Sequence, residues 1–433
     1  MSKRILSLVL VCNIIISIAL LFTGCDAKYD HEAAEPLWEA GNERNKIVVI
    51  NDLHLGIDDR YQETLKNRPF LVEFLQRLHE TDDVKELIIA GDFLDDWYLP
   101  VYYPSYSDSV KFFQDCIANN QVVIDELNHL MKEGIQVVYV PGNHDMLLES
   151  DVLEEAMPGI VQARDARGLG AYYTGDDNEI VVEHGHRYDA FSAPDTLTNA
   201  ELCGNDDTIL PSGYFYARYA ATWVLEGAPE NERDLPVITE EPDKSDTDQY
   251  GAFVYYKVVK GVTKNLTPNE AVDEEIFDIC IAGFNDKYSF LDYYPVRQAD
   301  GTISAPTLFK NIQRTWAERQ TINQVKVPNT FIEAAAGTTL WQYFFNQAKT
   351  QYIDNPDEDV DIVVFGHTHV PVIRSAGDGK YYINSGTWVD HNNVYDGPAR
   401  QFAVITDKEQ DTVALYSYGE DGTILDMGQG VSD

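Results

Sequence analysis

This sequence predicts an α/β fold, and three features predict it. Short β-branched apolar runs recur along the chain, five of them breaking off into a cluster that holds Asp, Asn or His. Stretches with apolar residues at helical spacing separate them. Hydrophobic residues fill 44% of the 433 positions, enough for a large core and far from the composition of a disordered chain. Continuous apolar runs bounded by Gly or Pro read as strands buried on both faces. Their alternation with helices implies layered α/β packing, in which ligands bind beyond the carboxyl ends of the strands.

In chain order, residues 1–25 form an address rather than part of the fold. Lys3 and Arg4 precede an apolar run from Ile5 to Phe22, which ends in Thr23-Gly24-Cys25. The pattern resembles a bacterial lipoprotein signal, where the Cys after a small residue is lipidated and becomes the new N-terminus. Cys25 is therefore the expected anchor, and an uncleaved anchor helix is the alternative. On this reading the protein is exported and held on the outer side of a bacterial membrane, which it touches through the lipid only. Residues 26–45 are polar without periodicity and are predicted to be a tether.

The predicted strands follow. Ile47 to Ile50 leads into Asn51-Asp52-Leu53-His54, and Leu87 to Ala90 into Gly91-Asp92-Phe93-Leu94-Asp95-Asp96. Val137 to Val140 leads into Pro141-Gly142-Asn143-His144-Asp145, and Ile180 to Glu183 into His184-Gly185-His186. Ile362 to Phe365 leads into Gly366-His367-Thr368-His369. Helices are expected where Phe70, Leu71, Phe74, Leu75 and Leu78 recur at helical spacing, and again across Phe112, Ile117, Ile124, Leu127 and Leu130. Tyr381 to Ile383 and Phe402 to Ile405 read as strands completing the sheet.

Residues 190–355 break the rhythm and are predicted to be a mostly helical insertion or cap within a domain made of 46–189 and 356–433. Tyr214, Phe215, Tyr216, Tyr219 and Trp223 suggest either an aromatic lid over a nucleoside, sugar or lipid group or the small core of the insertion itself. Residues 227–249 are rich in Glu, Asp and Pro and read as an exposed loop.

Composition narrows the function. With 32 basic against 72 acidic residues the net charge is -40. A nucleic-acid-binding surface needs a dense field of Lys and Arg and is not expected here. Five Cys in this length exclude a disulfide scaffold or a Cys-built zinc module. Six of the ten His fall in the five strand-end clusters. Carboxylates, imidazoles and an amide oxygen, without thiolates, suit Mn, Fe or Zn.

Taken together, Asp52-x-His54, Gly91-Asp92, Gly142-Asn143-His144-Asp145, His184 and Gly366-His367-x-His369 resemble the calcineurin-like metallophosphoesterase family in type and order. The resemblance covers about 46–189 and 356–425. It implies a layered β-sandwich flanked by helices and a dinuclear centre of two divalent ions. Asp52, His54 and His369 would hold one ion, Asn143, His184 and His367 the other, and Asp92 would bridge them. It further implies a metal-bridged hydroxide as nucleophile, His144 as general acid and Asp95 as the carboxylate that orients it. His186 would be accessory, as a neighbour of the ligands or a contact to phosphate.

Asp96 stands where phosphoprotein phosphatases carry Arg, which points away from that subtype. Asp92 to Trp97 and the capped layout are similar to the UDP-diacylglucosamine hydrolase branch, although that branch usually has Arg at the position of His144. The expected activity is hydrolysis of a phosphodiester or pyrophosphate bond in a small phosphorylated substrate. The alternatives are a phosphomonoesterase such as a nucleotidase, or a non-catalytic surface lipoprotein with a vestigial site.

Overall fold

The computed structural model describes residues 32–33, 44–204, 208–229, 234–263, 272–392, 399–407 and 412–428. The expected signal, Cys25 and most of the tether lie outside the described residues. Among those described, no helix is long and apolar enough to cross a membrane. The described chain divides into two compact units. Among the described residues, one takes 32–33, 44–96, Val110–Gly185 and 344–428; the other takes Trp97–Ser109 and His186–Tyr343. The segment expected at 190–355 is thus organised in space as His186–Tyr343 together with a loop from much earlier in the chain.

The first unit is a two-sheet sandwich flanked by helices, the α/β layering that the strand–helix alternation predicts. Its larger sheet runs Glu32–Ala33, Ile424–Asp426, Thr412–Tyr418, Gln401–Thr406, Lys46–Ile50, Val84–Ala90, Gln136–Val140, Val161–Gln162. The smaller runs Val372–Gly377, Lys380–Asn384, Ile362–Phe365, Ile180–Glu183, Ala171–Thr174. Every strand that leads into a candidate cluster lies in a parallel stretch. Ile50 pairs with Ile89, Ala90 with Val140 and Val364 with Val182. This register brings the carboxyl ends out side by side, and the clusters emerge together.

Strand side chains alternate between faces, and the sandwich uses both. Ile47, Val49, Ile88, Ala90, Val138 and Val140 from one sheet meet Ile180, Val182, Ile362 and Val364 from the other in a single buried cluster. Val48, Ile50, Leu87 and Ile89 point the other way and are equally buried. On the outside, helix Arg68–His79 buries Leu71, Phe74, Leu75 and Leu78, and Gln121–Lys132 buries Val123, Ile124, Leu127 and Leu130. Phe74 lies 4.8 Å from the ring of Phe402. Asp390 accepts hydrogen bonds from Lys66 N and Asn67 N, placing a negative charge at the start of the first helix.

The second unit is mostly helical, with Ser212–Leu225, Thr247–Thr263, Ile312–Ile322 and Phe331–Gly337 as main elements and two short hairpins. Its core is aromatic. Phe215 packs within 5.6 Å of Phe277, Phe284, Tyr293 and Phe309. Tyr214, Phe215, Tyr216, Tyr219 and Trp223 are all at most 5% exposed. These rings fill a core, and the reading of them as a lid surface is set aside. The loop Trp97–Ser109 joins this unit because Arg218 donates to Leu99 O at 2.7 Å and to Pro100 O at 3.0 Å. Cys116, Cys203 and Cys280 are free thiols.

Candidate metal centre

Nine of the expected site residues sit in the first unit: Asp52, His54, Asp92, Asp95, Asn143, His144, His184, His367 and His369. Five of them leave their strands with left-handed backbone, φ being 52° at Asp52, 45° at His54, 50° at Asp92, 69° at His367 and 56° at His369. Such angles are uncommon outside Gly and cost of order 1–3 kcal/mol each. The scaffold holds these residues in strain so that their side chains converge. Two glycines make room: a Cβ on Gly142 would lie 2.1 Å from Asp92 Oδ1, and one on Gly91 2.3 Å from His184 Nδ1.

At one position, Asp52 Oδ2 accepts from the Asn51 side-chain amide and from His367 N. Asp52 Oδ1 is left buried without a hydrogen-bond partner. It lies 3.0 Å from His369 Nε2 and 3.6 Å from His54 Nε2, and those two nitrogens are 3.1 Å apart. His54 Nδ1 is 2.7 Å from Asp95 Oδ2, which turns Nε2 inward. Asp52, His54 and His369 thus offer three donor atoms within 4.8 Å of one another.

At the adjacent position, His184 Nδ1 donates to Ala90 O at 2.9 Å. That fixes Nε2 toward Asp92 Oδ2 and Asn143 Oδ1, each 3.1 Å away. Asp92 Oδ1 accepts from His144 N at 2.8 Å, while Oδ2 also lies 3.6 Å from His54 Nε2. A single carboxylate oxygen therefore faces both positions. His367 stands beside this group, its ring 5.2 Å from that of His184 and 5.4 Å from that of Phe344.

An orphaned carboxylate oxygen, a second carboxylate oxygen shared between imidazoles and an amide oxygen all point at the same small volume. That donor set fits divalent Mn, Fe or Zn. The titration pattern of the metal-free protein points the same way. Burial opposes charge on His54, but the surrounding carboxylates of Asp52, Asp95 and Asp92 raise its pKa well above the usual range. Burial dominates at His369, and repulsion from His54 adds to it, so His369 is lowered although it also touches Asp52. Burial works against Asp52 and Asp92 as anions, yet the surrounding histidines hold both below the usual carboxylate range. His184, buried but facing Asp92 and Asp52, is pushed up to about 9.

A proton on His184 Nε2 faces Asp92 Oδ2 at 3.1 Å, and this gives a pH prediction. Its favourable contribution to the metal-free fold is complete below the ordinary pKa of 6.5 and is lost as pH rises through about 9. A metal needs the neutral ring, so Mn²⁺ affinity is expected to climb roughly tenfold per pH unit up to about pH 9 and then level. Calorimetric titrations across that interval measure it; a flat profile contradicts the ligand role of His184.

His144 Nδ1 lies 2.9 Å from Asp95 Oδ2, so Asp95 serves His144 and His54 with one oxygen. His144 is 14% exposed at its side chain while Asp95 is fully buried. His186 opens the short turn His186–Tyr188 in the other unit, where it is buried. Asp145 ties two loops together. Its Oδ1 accepts from Gly142 N at 2.7 Å and its Oδ2 from Phe93 N at 2.8 Å. Burial and the charge of Asp92 push its pKa up to about 6.

Sequence reasoning assigned no role to two further features. Asn51, which orients Asp52, is itself held by Ser385 Oγ and by Gly386 O, in the segment just after strand Lys380–Asn384. Glu63, on the irregular loop after His54, puts Oε2 3.6 Å from His54 Nδ1. Burial together with Asp95, Asp92 and Asp390 pushes its carboxyl well above the usual range. Asn384-Ser385-Gly386 follows a strand as the other clusters do, which was a usable signal; Glu63 carried none.

Comparison with known proteins adds the following. The family model described as calcineurin-like phosphoesterase matches residues 45–239. No curated protein matches the sequence as a relative. Solved structures similar to the chain include a single mutant of Vps29 from Entamoeba histolytica, at 13% identity over 88% of this chain and 98% of that one with a TM-score of 0.26. Another is a dimetal phosphatase from Danio rerio, at 11% identity over 90% and 98% with a TM-score of 0.34.

Proposed function

We propose, from the match of residues 45–239 to the calcineurin-like phosphoesterase family model, that the chain hydrolyses a phosphodiester or pyrophosphate bond with two divalent ions. The observation that carries the proposal is Asp92 Oδ2, one oxygen 3.6 Å from His54 Nε2 and 3.1 Å from His184 Nε2, the latter nitrogen also facing Asn143 Oδ1 at 3.1 Å. In the proposed assignment Asp52, His54 and His369 hold one ion, Asn143, His184 and His367 the other, and Asp92 both. Ions held there would supply Lewis acidity toward phosphoryl oxygens and lower the pKa of bound solvent toward about 7. The protein's own groups do the rest. Asp52 and Asp92 bring two negative charges against four positive ones, leaving a local attraction for phosphate within a strongly acidic chain.

His144 is the group poised to move a proton. Its backbone N–H is fixed on Asp92 and its Nδ1 on Asp95. In the proposed mechanism Nε2 gives its proton to the departing oxygen as the phosphorus–oxygen bond breaks. Assays of the full chain with Mn²⁺ on nitrophenyl phosphate, bis-nitrophenyl phosphate and nucleoside diphosphates test the proposal. Preferred cleavage of the diester or the pyrophosphate supports it, and preference for the monoester moves the substrate class to a nucleotidase-like enzyme.

Two narrower assignments belong to the same reading. His184→Ala is expected to lower metal content, whereas His186→Ala keeps metal and changes KM or kcat; metal analysis giving the reverse overturns the pair. Cys25, following Gly24 at the end of the apolar run, is proposed as the lipid anchor on the outer side of a bacterial membrane. Fatty-acid labelling in the native host should disappear in Cys25→Ser, and undiminished labelling removes Cys25 from that role.

A further inference from the structure

Glu63 is a buried acid that the proposed mechanism does not use. It is 3% exposed, and its Oε1 has no hydrogen-bond partner. Its backbone is pinned on both sides, Glu63 N donating to His54 O at 3.3 Å and Asp390 N donating to Glu63 O at 2.8 Å. That places the carboxyl against the outer edge of His54, with Oε2 3.6 Å from Nδ1 and grouped with Asp95 around that ring. A buried acid with an idle oxygen beside Asp95 costs folding free energy. Local rules broken in this way cluster at functional sites.

The competing demand on Asp95 explains what Glu63 does. One oxygen, Asp95 Oδ2, faces Nδ1–H groups of both His54 and His144. We propose that Glu63 is a positioning residue, a second carboxyl group standing 3.6 Å from His54 Nδ1 that helps keep this ring's Nε2 turned toward Asp52 and Asp92 while Asp95 also serves His144. The inference rests on the dinuclear reading above. Outer partners of metal-binding imidazoles set ring orientation and basicity, and losing one typically costs about 10–100-fold in metal affinity.

The test is Mn²⁺ binding by the full-length protein, read by calorimetry and thermal melting on the parent, Glu63→Gln and Glu63→Met. Gln keeps a carbonyl oxygen facing His54 Nδ1, so both binding steps should stay within about threefold of the parent. Met fills the volume with no acceptor, so one binding step should weaken by about 10–100-fold, while the other stays within about threefold. The Mn²⁺ concentration for half-maximal hydrolysis should rise by the same factor. Metal-free Glu63→Met should melt at or above the parent temperature, because an unpaired buried acid has gone; a purely structural carboxyl would lower it. Parent-like binding by Glu63→Met overturns the inference, as does equal weakening of both steps. A third ion in the parent that both variants lose would make Glu63 a ligand and overturn it too. A parent that binds no Mn²⁺ would instead defeat the dinuclear reading itself.

Discussion

Asp92→Asn is expected to abolish metal-dependent hydrolysis. Asn preserves an oxygen to accept from His144 N, the bond that Asp92 Oδ1 makes at 2.8 Å, so the loop should stay in place. What disappears is the negative charge on the oxygen that faces His54 and His184. Without it the two positions lose their common anion, and bound metal should fall to one ion or none per chain. Lost electrostatic stabilisation of several kcal/mol corresponds to about a thousandfold or more in rate. Activity within about tenfold of the parent with metal fully retained would show that Asp92 does not bridge.

His144→Ala should behave differently, because the proposed mechanism gives His144 a role at the leaving group rather than in holding the ions. Both ions should remain bound. Removing a general acid typically costs about 10²–10⁴ in kcat. The loss should depend on the leaving group: a poor alkoxide leaving group needs the proton from Nε2, whereas nitrophenolate departs without it. The variant is therefore expected to retain most activity on nitrophenyl esters and to fail on alkyl esters. Equal losses on both, or loss of metal, would remove the general-acid role. Asp95→Asn should produce part of this phenotype together with weaker metal binding, since Asp95 Oδ2 faces both His144 and His54.

Much of the candidate centre is legible in the sequence because parallel strands present their polar clusters at one end. Asp52, Asp92, Asn143, His184 and His367 each follow an apolar run within three residues, and the register of Ile50 with Ile89 and Ala90 with Val140 turns that linear pattern into a spatial one. Asp145 stands in the quoted pattern, but its task of tying Gly142 to Phe93 is visible only in three dimensions. Glu63 lies on a loop without periodicity, and no spacing rule links it to His54. The loop Trp97–Ser109 is likewise unreadable as part of the other unit, because backbone carbonyls hold it to Arg218 and any sequence offers those. The buried rings around Phe215 are equally ambiguous in sequence: aromatic enrichment serves a core or a lid alike, and burial alone separates them.

The most direct test is an anomalous-scattering crystal structure of the Mn²⁺-loaded protein, with metal content measured on the same sample. Two peaks are expected, one among Asp52, His54 and His369 and one among Asn143, His184 and His367, with Asp92 Oδ2 in contact with both. No peak in this cluster, or a single peak that Asp92 does not touch, would contradict the dinuclear account.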